Sequence, residues 1–292
     1  MNQLLSHLPE HKQNELTEIV KVIREAADPA KIILFGSHTS DKWVEDEYID
    51  RGTTYSYISD YDILVVLSDR DKGNELDITS KIENRTESYK NDVVPIVHTI
   101  GYINEGLERG QYFFRDIVKE GIVLFDGGED DFVECKPLTR EQIKENAIND
   151  FEKWVKSGSR FLRSTKILID DFLNKDLPLN EVIFILNQSA EKFYAGFLLV
   201  FTGYKPKLHR LKAYRKYAKN ISEELYHVFR YPRRDSEERR LFKILSDSYI
   251  DARCQDDYYI NPEDLKKLIL KVEQFEKVVV RLCEEKIKTY NE

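Results

Sequence analysis

Long apolar runs are missing from this chain of 292 residues, and no stretch reads as a bilayer span. The first residues, MNQLLSHLPEHKQNE, lack a basic segment followed by an apolar one, so no signal peptide is expected. Cysteine is scarce: Cys135, Cys254 and Cys283 are scattered, forming neither a C-x-x-C pair nor an even set for a disulfide framework. A reducing, cytoplasmic setting with no membrane partner is the expectation. Positive charge is outweighed, and the net charge of −8 disfavours a nucleic-acid binder acting over its whole surface, while leaving room for a local basic patch. Internal repeats and low-complexity tracts are also absent.

What remains suits two compact domains or one large one: 41% of residues are hydrophobic and 34% charged, enough to bury a core and keep a hydrated surface. Residues 8–27 place Leu16, Ile19, Val20 and Ile23 at helical spacing before Asp28-Pro29 stops the pattern. KIILFGS (31–37) reads as a buried strand running into a turn, and 38–58 as a polar loop or short hairpin. SDYDILVVL (59–67) is the strongest strand. A helix follows around 74–88, then a strand at 91–100 in which Pro95 favours an edge position or a bulge. A helix at 102–119 and a short strand at 121–125 complete this half. The acidic turn around Asp126-Gly127-Gly128 is the expected linker. Beyond it strand signals cease, and 139–175, 178–201, 207–230, 236–252 and 262–288 all carry helical spacing. The expected fold class is α+β: a mixed sheet with helices over 1–130, and an all-helical bundle over 131–292.

Asp60 and Asp62 are two residues apart in a strand, so both side chains share one face. Ile63–Leu67 is wholly apolar, so the pair stands at the mouth of a buried strand, where two acids repel unless a cation lies between them. Mg²⁺ takes carboxylate oxygens together with substrate phosphates; two acids capping a strand end is the plainer alternative. Gly36-Ser37 directly after a buried strand offers a backbone that can approach a phosphate without a Cβ in the way, plus a hydroxyl.

The stretch LFGS…SDYDILVV resembles the G-S…D-x-D signature of the DNA polymerase beta nucleotidyltransferase superfamily, above all its minimal branch, over roughly residues 15–126. The resemblance implies that Gly36 and Ser37 hold the triphosphate of a nucleoside triphosphate, and that Asp60 and Asp62 bind Mg²⁺ in a two-metal site. It also implies a third carboxylate, for which Asp92 is the candidate catalytic and metal residue, with His98 on the same strand face. The 22 residues between Ser37 and Asp60 exceed the usual length in that branch. Trp43, Tyr48, Tyr55 and Tyr57 in this insertion are candidates for a substrate flap or a surface loop.

NQSAEKFYAGFLLVFTGYKPKLHRLKAY (187–214) and SYIDARCQDDYYINPEDLKKLILKVEQFEKVV (248–279) are similar to helices of HEPN domains, over roughly 139–288. Many HEPN domains are ribonucleases with an R-x4–6-H motif. Here Arg253 is followed at those positions by Tyr258, Tyr259 and Ile260, and no other arginine precedes a histidine at that spacing. A ribonuclease of that type is therefore not expected. The bundle is expected to complete the substrate site of the transferase and to form a homodimer.

Two basic stretches stand out. One is Lys205, Lys207, His209, Arg210, Lys212, Arg215, Lys216 and Lys219; the other is Arg230, Arg233, Arg234, Arg239 and Arg240. They read either as triphosphate or RNA contacts, with Tyr204, Tyr214 and Tyr217 as stacking platforms, or as solvated helix faces. The expected function is Mg²⁺-dependent transfer of a nucleoside monophosphate, AMP from ATP by default, to a hydroxyl of a small molecule, protein or RNA. The alternatives are a toxin–antitoxin or defence module acting by partner binding or modification, and a nucleotide sensor whose transfer chemistry has lapsed.

Overall fold

The computed structural model describes residues 5–40, 43, 45–50, 53–70, 73–128, 130–206, 211–229, 236–254 and 258–290. Contacts divide the chain into two compact units: Met1–Tyr48 with Ser56–Leu138, and Ile49–Tyr55 with Thr139–Glu292. No helix among the described residues is long and apolar enough to cross a membrane.

The first unit begins with α1 (Glu10–Ala26), whose buried stripe is Lys12, Leu16, Ile19, Val20 and Ile23. Strand β1 (Pro29–Phe35) then runs into a single 3-10 turn at Gly36–Thr39. Further along the chain β2 (Glu45–Asp50) and β3 (Thr53–Ile58) pair as a separate two-stranded sheet. Trp43 packs against the core of this unit. Side chains of Tyr48, Tyr55 and Tyr57 lie outside the described residues.

Strand β4 (Tyr61–Leu67) is buried along its whole length. It pairs antiparallel with β1 and parallel with β5 (Val93–Thr99). The parallel pairing needs a crossover, supplied by α2 (Glu75–Arg85), which Asn74 caps by accepting from the Leu76 N–H at 3.0 Å. After β5 come α3 (Ile100–Glu108), α4 (Tyr112–Glu120) and β6 (Ile122–Asp126), and the four-stranded sheet has the order β5-β4-β1-β6. Pro95 thus sits in an edge strand, as its missing N–H requires. The single helix expected over 102–119 is two: Gly110 takes a positive φ of 71°, and a Cβ there would stand 2.7 Å from the Lys136 carbonyl.

Tyr61, Ile63, Val65 and Leu67 join the core cluster that contains the apolar residues of α1 and α2. Strand alternation sends Asp62, Leu64 and Val66 to the other face. The acidic pair is thereby separated from the main core of the sheet.

The second unit is helical. α5 (Arg140–Asp150), a π-helical turn at Phe151–Val155 and α6 (Lys156–Asn174) form one continuous helix. Thr139 and Gln142 close its N-terminus as a reciprocal capping box. The buried positions are Ala147, Phe151 and Val155, four apart, then Gly158, Leu162, Thr165 and Ile169, alternating three and four. The wider π turn keeps the consecutive fours on one face.

α7 (Asn180–Thr202) is the central helix and ends at Gly203, which takes the left-handed conformation (φ 67°). α6 approaches it closely because Gly158 has no side chain: a Cβ would meet the Phe193 ring at 2.8 Å and the Ser189 carbonyl at 3.2 Å. The helix expected over 207–230 is broken into α8 (Leu211–Lys219) and α9 (Glu223–Val228), with Ser222 capping the latter. α10 (Ser236–Cys254) and α11 (Pro262–Thr289) complete the unit, the last capped by Asn261 with Pro262 at its first turn. Phe275 of α11 packs against the rings of Phe193, Tyr194 and Phe229 at the centre of the core.

Candidate functional site

The antiparallel register sets Phe35, the last residue of β1, opposite Asp62. Gly36 then turns away with φ 77°, and a Cβ on it would collide with the Asp62 carboxylate. The turn is therefore closed over the acid in a way only glycine permits. Asp60 and Asp62 are 2% and 3% exposed. The Ser37 hydroxyl oxygen is buried and has no hydrogen-bond partner among the described residues. A buried hydroxyl without a partner is costly unless a ligand completes it. Asp62 in β4, Asp60 just before it, this hydroxyl and a glycine-backed turn could hold one Mg²⁺ shared with phosphate oxygens.

Asp92 lies on the surface immediately before β5. Its carbonyl accepts the Tyr61 N–H at 2.8 Å, and the register Tyr61–Val93, Asp62–Val94 continues to place it beside Asp60. Among the described residues, no three or more His, Cys, Asp or Glu side chains converge as a metal-holding group. His98 sits six positions further along β5, about 20 Å by strand rise. Its Nδ1 meets Glu75 Oε2 at 3.2 Å, and its ring packs on Tyr102 and Phe114.

Sequence reading missed a polar brace under the acidic pair. Asn91 donates to the Ser59 carbonyl at 2.8 Å, His38 Nδ1 lies 3.0 Å from the Asp60 carbonyl, and Tyr61 N–H reaches Asp92. Three successive residues are thus pinned by three different partners. Behind them, the fully buried Lys12 bonds Asn91 Oδ1 at 3.3 Å, pairs with Glu45 at 3.6 Å and lies over the Trp43 ring. Glu45 also pairs with Lys90. Tyr61 donates to Glu15 Oε2 at 2.7 Å. The available signals were a lysine inside the apolar stripe of α1 and a histidine directly after Gly-Ser.

His38 is fully buried, with its ring against Tyr61 and parallel to Trp43. Burial first, and the Lys12 charge second, push its pKa down to about 4. It is neutral at pH 7 and donates Nδ1–H to Asp60. The unfolded chain takes up this proton near pH 6.5, the fold only near 4, so stability is complete above about 6.5 and falls as pH drops toward 4. The loss from this residue is on the order of 3 kcal/mol. Denaturant titrations at pH 7 and 4.5 should show that drop shrinking in His38→Gln; equal drops in both proteins would refute this account.

The remaining candidates resolve unevenly. Arg215 is buried: its Nε donates to the Phe229 carbonyl at 3.1 Å and its guanidinium lies 3.8 Å from the Tyr226 centroid. Arg240 makes a bidentate bridge to Asp264 at 2.6 and 2.8 Å. Tyr204 and Tyr214 are buried, and Tyr217 packs against the core, so packing occupies the rings considered for stacking. Lys207, His209, Arg210, Arg230, Arg233 and Arg234, with the Arg253 side chain, lie outside the described residues.

The fold thus defines a two-part class: an α+β sheet domain followed by an all-helical bundle. The helical part is a HEPN domain, since that family matches residues 151–285. No curated protein matches the chain.

Proposed function

We propose that the N-terminal unit binds a nucleoside triphosphate with Mg²⁺ and transfers a nucleoside monophosphate to an acceptor hydroxyl. The observation that carries this reading is the closure of Gly36 over Asp62, beside a second buried carboxylate and a buried hydroxyl in want of a partner. Gly36 and Ser37 receive phosphate oxygens through backbone N–H and hydroxyl. Asp60 and Asp62 would hold the metal, which supplies neutralisation of phosphate charge. The acceptor oxygen attacks the α-phosphorus, the bond to the β-phosphate oxygen breaks, and pyrophosphate leaves as the hydroxyl proton passes to a base. Asp92, beside Asp60 in register, is the candidate for that base. The brace from Asn91, His38 and Asp92 fixes the backbone, so the acids need little reorganisation. Dimerisation through the helical unit belongs to the same proposal.

The HEPN domain favours a second reading, a defence-type module that acts on a partner protein. One experiment separates the readings. The intact protein is incubated with α-labelled ATP, GTP, CTP or UTP, Mg²⁺ and a lysate divided into small molecules, RNA and protein. Label in one fraction, absent with Asp60→Asn/Asp62→Asn, establishes transfer and names the acceptor class. Label confined to one co-purifying protein selects the module. Metal-dependent nucleotide binding without transfer indicates a lapsed sensor, and no nucleotide binding sinks the proposal.

A further inference from the structure

Three lysines of the helical unit converge on one indole. The Nζ atoms of Lys153, Lys192 and Lys205 lie 5.8, 5.2 and 5.0 Å from the Trp154 ring centroid. They come from the π turn, from the middle of α7 and from the segment after Gly203, so no single helical periodicity brings them together. Lys192 is also 5.1 Å from the Phe161 centroid.

Several lysines elsewhere are paired: Lys31 with Asp126, Lys166 with Glu273, Lys267 with Glu237, Lys271 with Glu238. The chain has 53 acids against 45 lysines and arginines, so carboxylates are not in short supply. Yet among the described residues none of these three ammonium groups bonds a carboxylate. The acids that feel them are Glu191, which favours the charge on Lys205, and Asp150, which is influenced by Lys153. Glu191 already accepts from Gln188 at 3.3 Å. Burial, with Lys153 and Lys192 adding to it, holds the Lys205 pKa below the usual lysine range. The ring beneath is apolar and excludes water on that side, which strengthens both the mutual repulsion and the attraction for an anion.

The local backbone is built for this arrangement. Trp154 and Lys153 ride on the π turn, a geometry that recurs at functional positions. Gly196 of α7 leaves room for it: a Cβ there would meet Val155 Cγ2 at 2.6 Å and Trp154 Cβ at 3.0 Å.

We propose that Lys153, Lys192 and Lys205 around Trp154 form a binding site for a compact phosphate dianion or polyphosphate. Three point charges without an arginine fork select charge density over planar geometry, which suits phosphate better than a single carboxylate. The phosphate can belong to a free nucleotide or pyrophosphate, or to the backbone of a single-stranded RNA. The site is independent of the transferase reading, because all its residues belong to the helical unit.

The test is calorimetric titration of the intact protein with inorganic pyrophosphate at low salt in EDTA, which silences any metal-dependent site. Binding at one site per chain is expected, weakened about tenfold or more in Lys192→Gln/Lys205→Gln, a change of about 1.4 kcal/mol. Lys166→Gln, which removes a paired lysine, should bind as wild type, and circular dichroism should show all proteins equally helical. Displacement of pyrophosphate by ATP assigns the phosphate to a free nucleotide, and displacement by RNA alone assigns it to nucleic acid. No binding of pyrophosphate, undiminished binding in the double variant, or equal binding of citrate overturns the proposal.

Discussion

Under the transfer reaction proposed above, Gly36→Ala should lose about 100-fold in rate, while Gly128→Ala keeps the wild-type rate. The two glycines have nearly the same backbone, φ 77° and 78°. Alanine in that region costs about 1–2 kcal/mol at either position. The surroundings differ. At Gly128 a new methyl meets nothing within 4 Å among the described residues, whereas at Gly36 it runs into the Asp62 carboxylate. Either the turn or the acid must move, and a displacement on the order of 1 Å at a reacting centre costs about two decades of rate. Comparing transfer rates and melting temperatures of both variants separates backbone strain from collision with the acid. Equal losses of activity in the two would show that Asp62 is not the sensitive partner.

Phe275→Ala should cost the helical unit about 3–5 kcal/mol, a large share of the stability of a domain this size. The ring is fully buried and meets Tyr194 at 4.4 Å, Phe229 at 5.4 Å and Phe193 at 5.9 Å between centroids. Its removal leaves a cavity bounded by three aromatic rings from two other segments, and rigid rings collapse poorly. Ile167→Ala provides the contrast, since Ile167 is 62% exposed and its truncation should cost under about 0.5 kcal/mol. Urea unfolding followed by circular dichroism reads both. A loss under about 1 kcal/mol in Phe275→Ala would mean the core repacks around the gap.

The α+β class and the order of elements were legible because their patterns are local. SDYDILVVL has the unbroken apolar run of a doubly covered strand, and α11 carries an apolar stripe over its whole length. The breaks were harder to see. Nothing in a helical periodicity marks Gly110 as left-handed, and the Lys136 carbonyl that a side chain there would meet is distant in sequence. The π turn left a trace, the four-residue spacing Ala147, Phe151, Val155, which resembles ordinary helix unless the fours are counted. Strand parity and a glycine turn are sequence properties, so Gly36, Ser37, Asp60 and Asp62 stand as candidates on the sequence alone. The brace does not: Lys12, Asn91 and His38 gather at the start of β4 only once α1, β1, β4 and β5 are assembled. For Asp92 the structure adds a bond to its carbonyl, a group that sequence does not distinguish.

The π turn at Phe151–Val155 also acts as a phase shift. Each residue of an α-helix advances the side chains by about 100°, so one extra residue in a turn resets the angular origin of everything beyond it. α5 and α6 are one rod read in two frames. Deleting a single residue within 151–155 would preserve the helix and most of its hydrogen bonds, yet rotate one end against the other. Ala147 would swing off the face shared with Val155 and Leu162. Homologous chains can therefore keep every buried residue of this rod and still differ in where its outer half points, with a change of one residue as the whole of the difference.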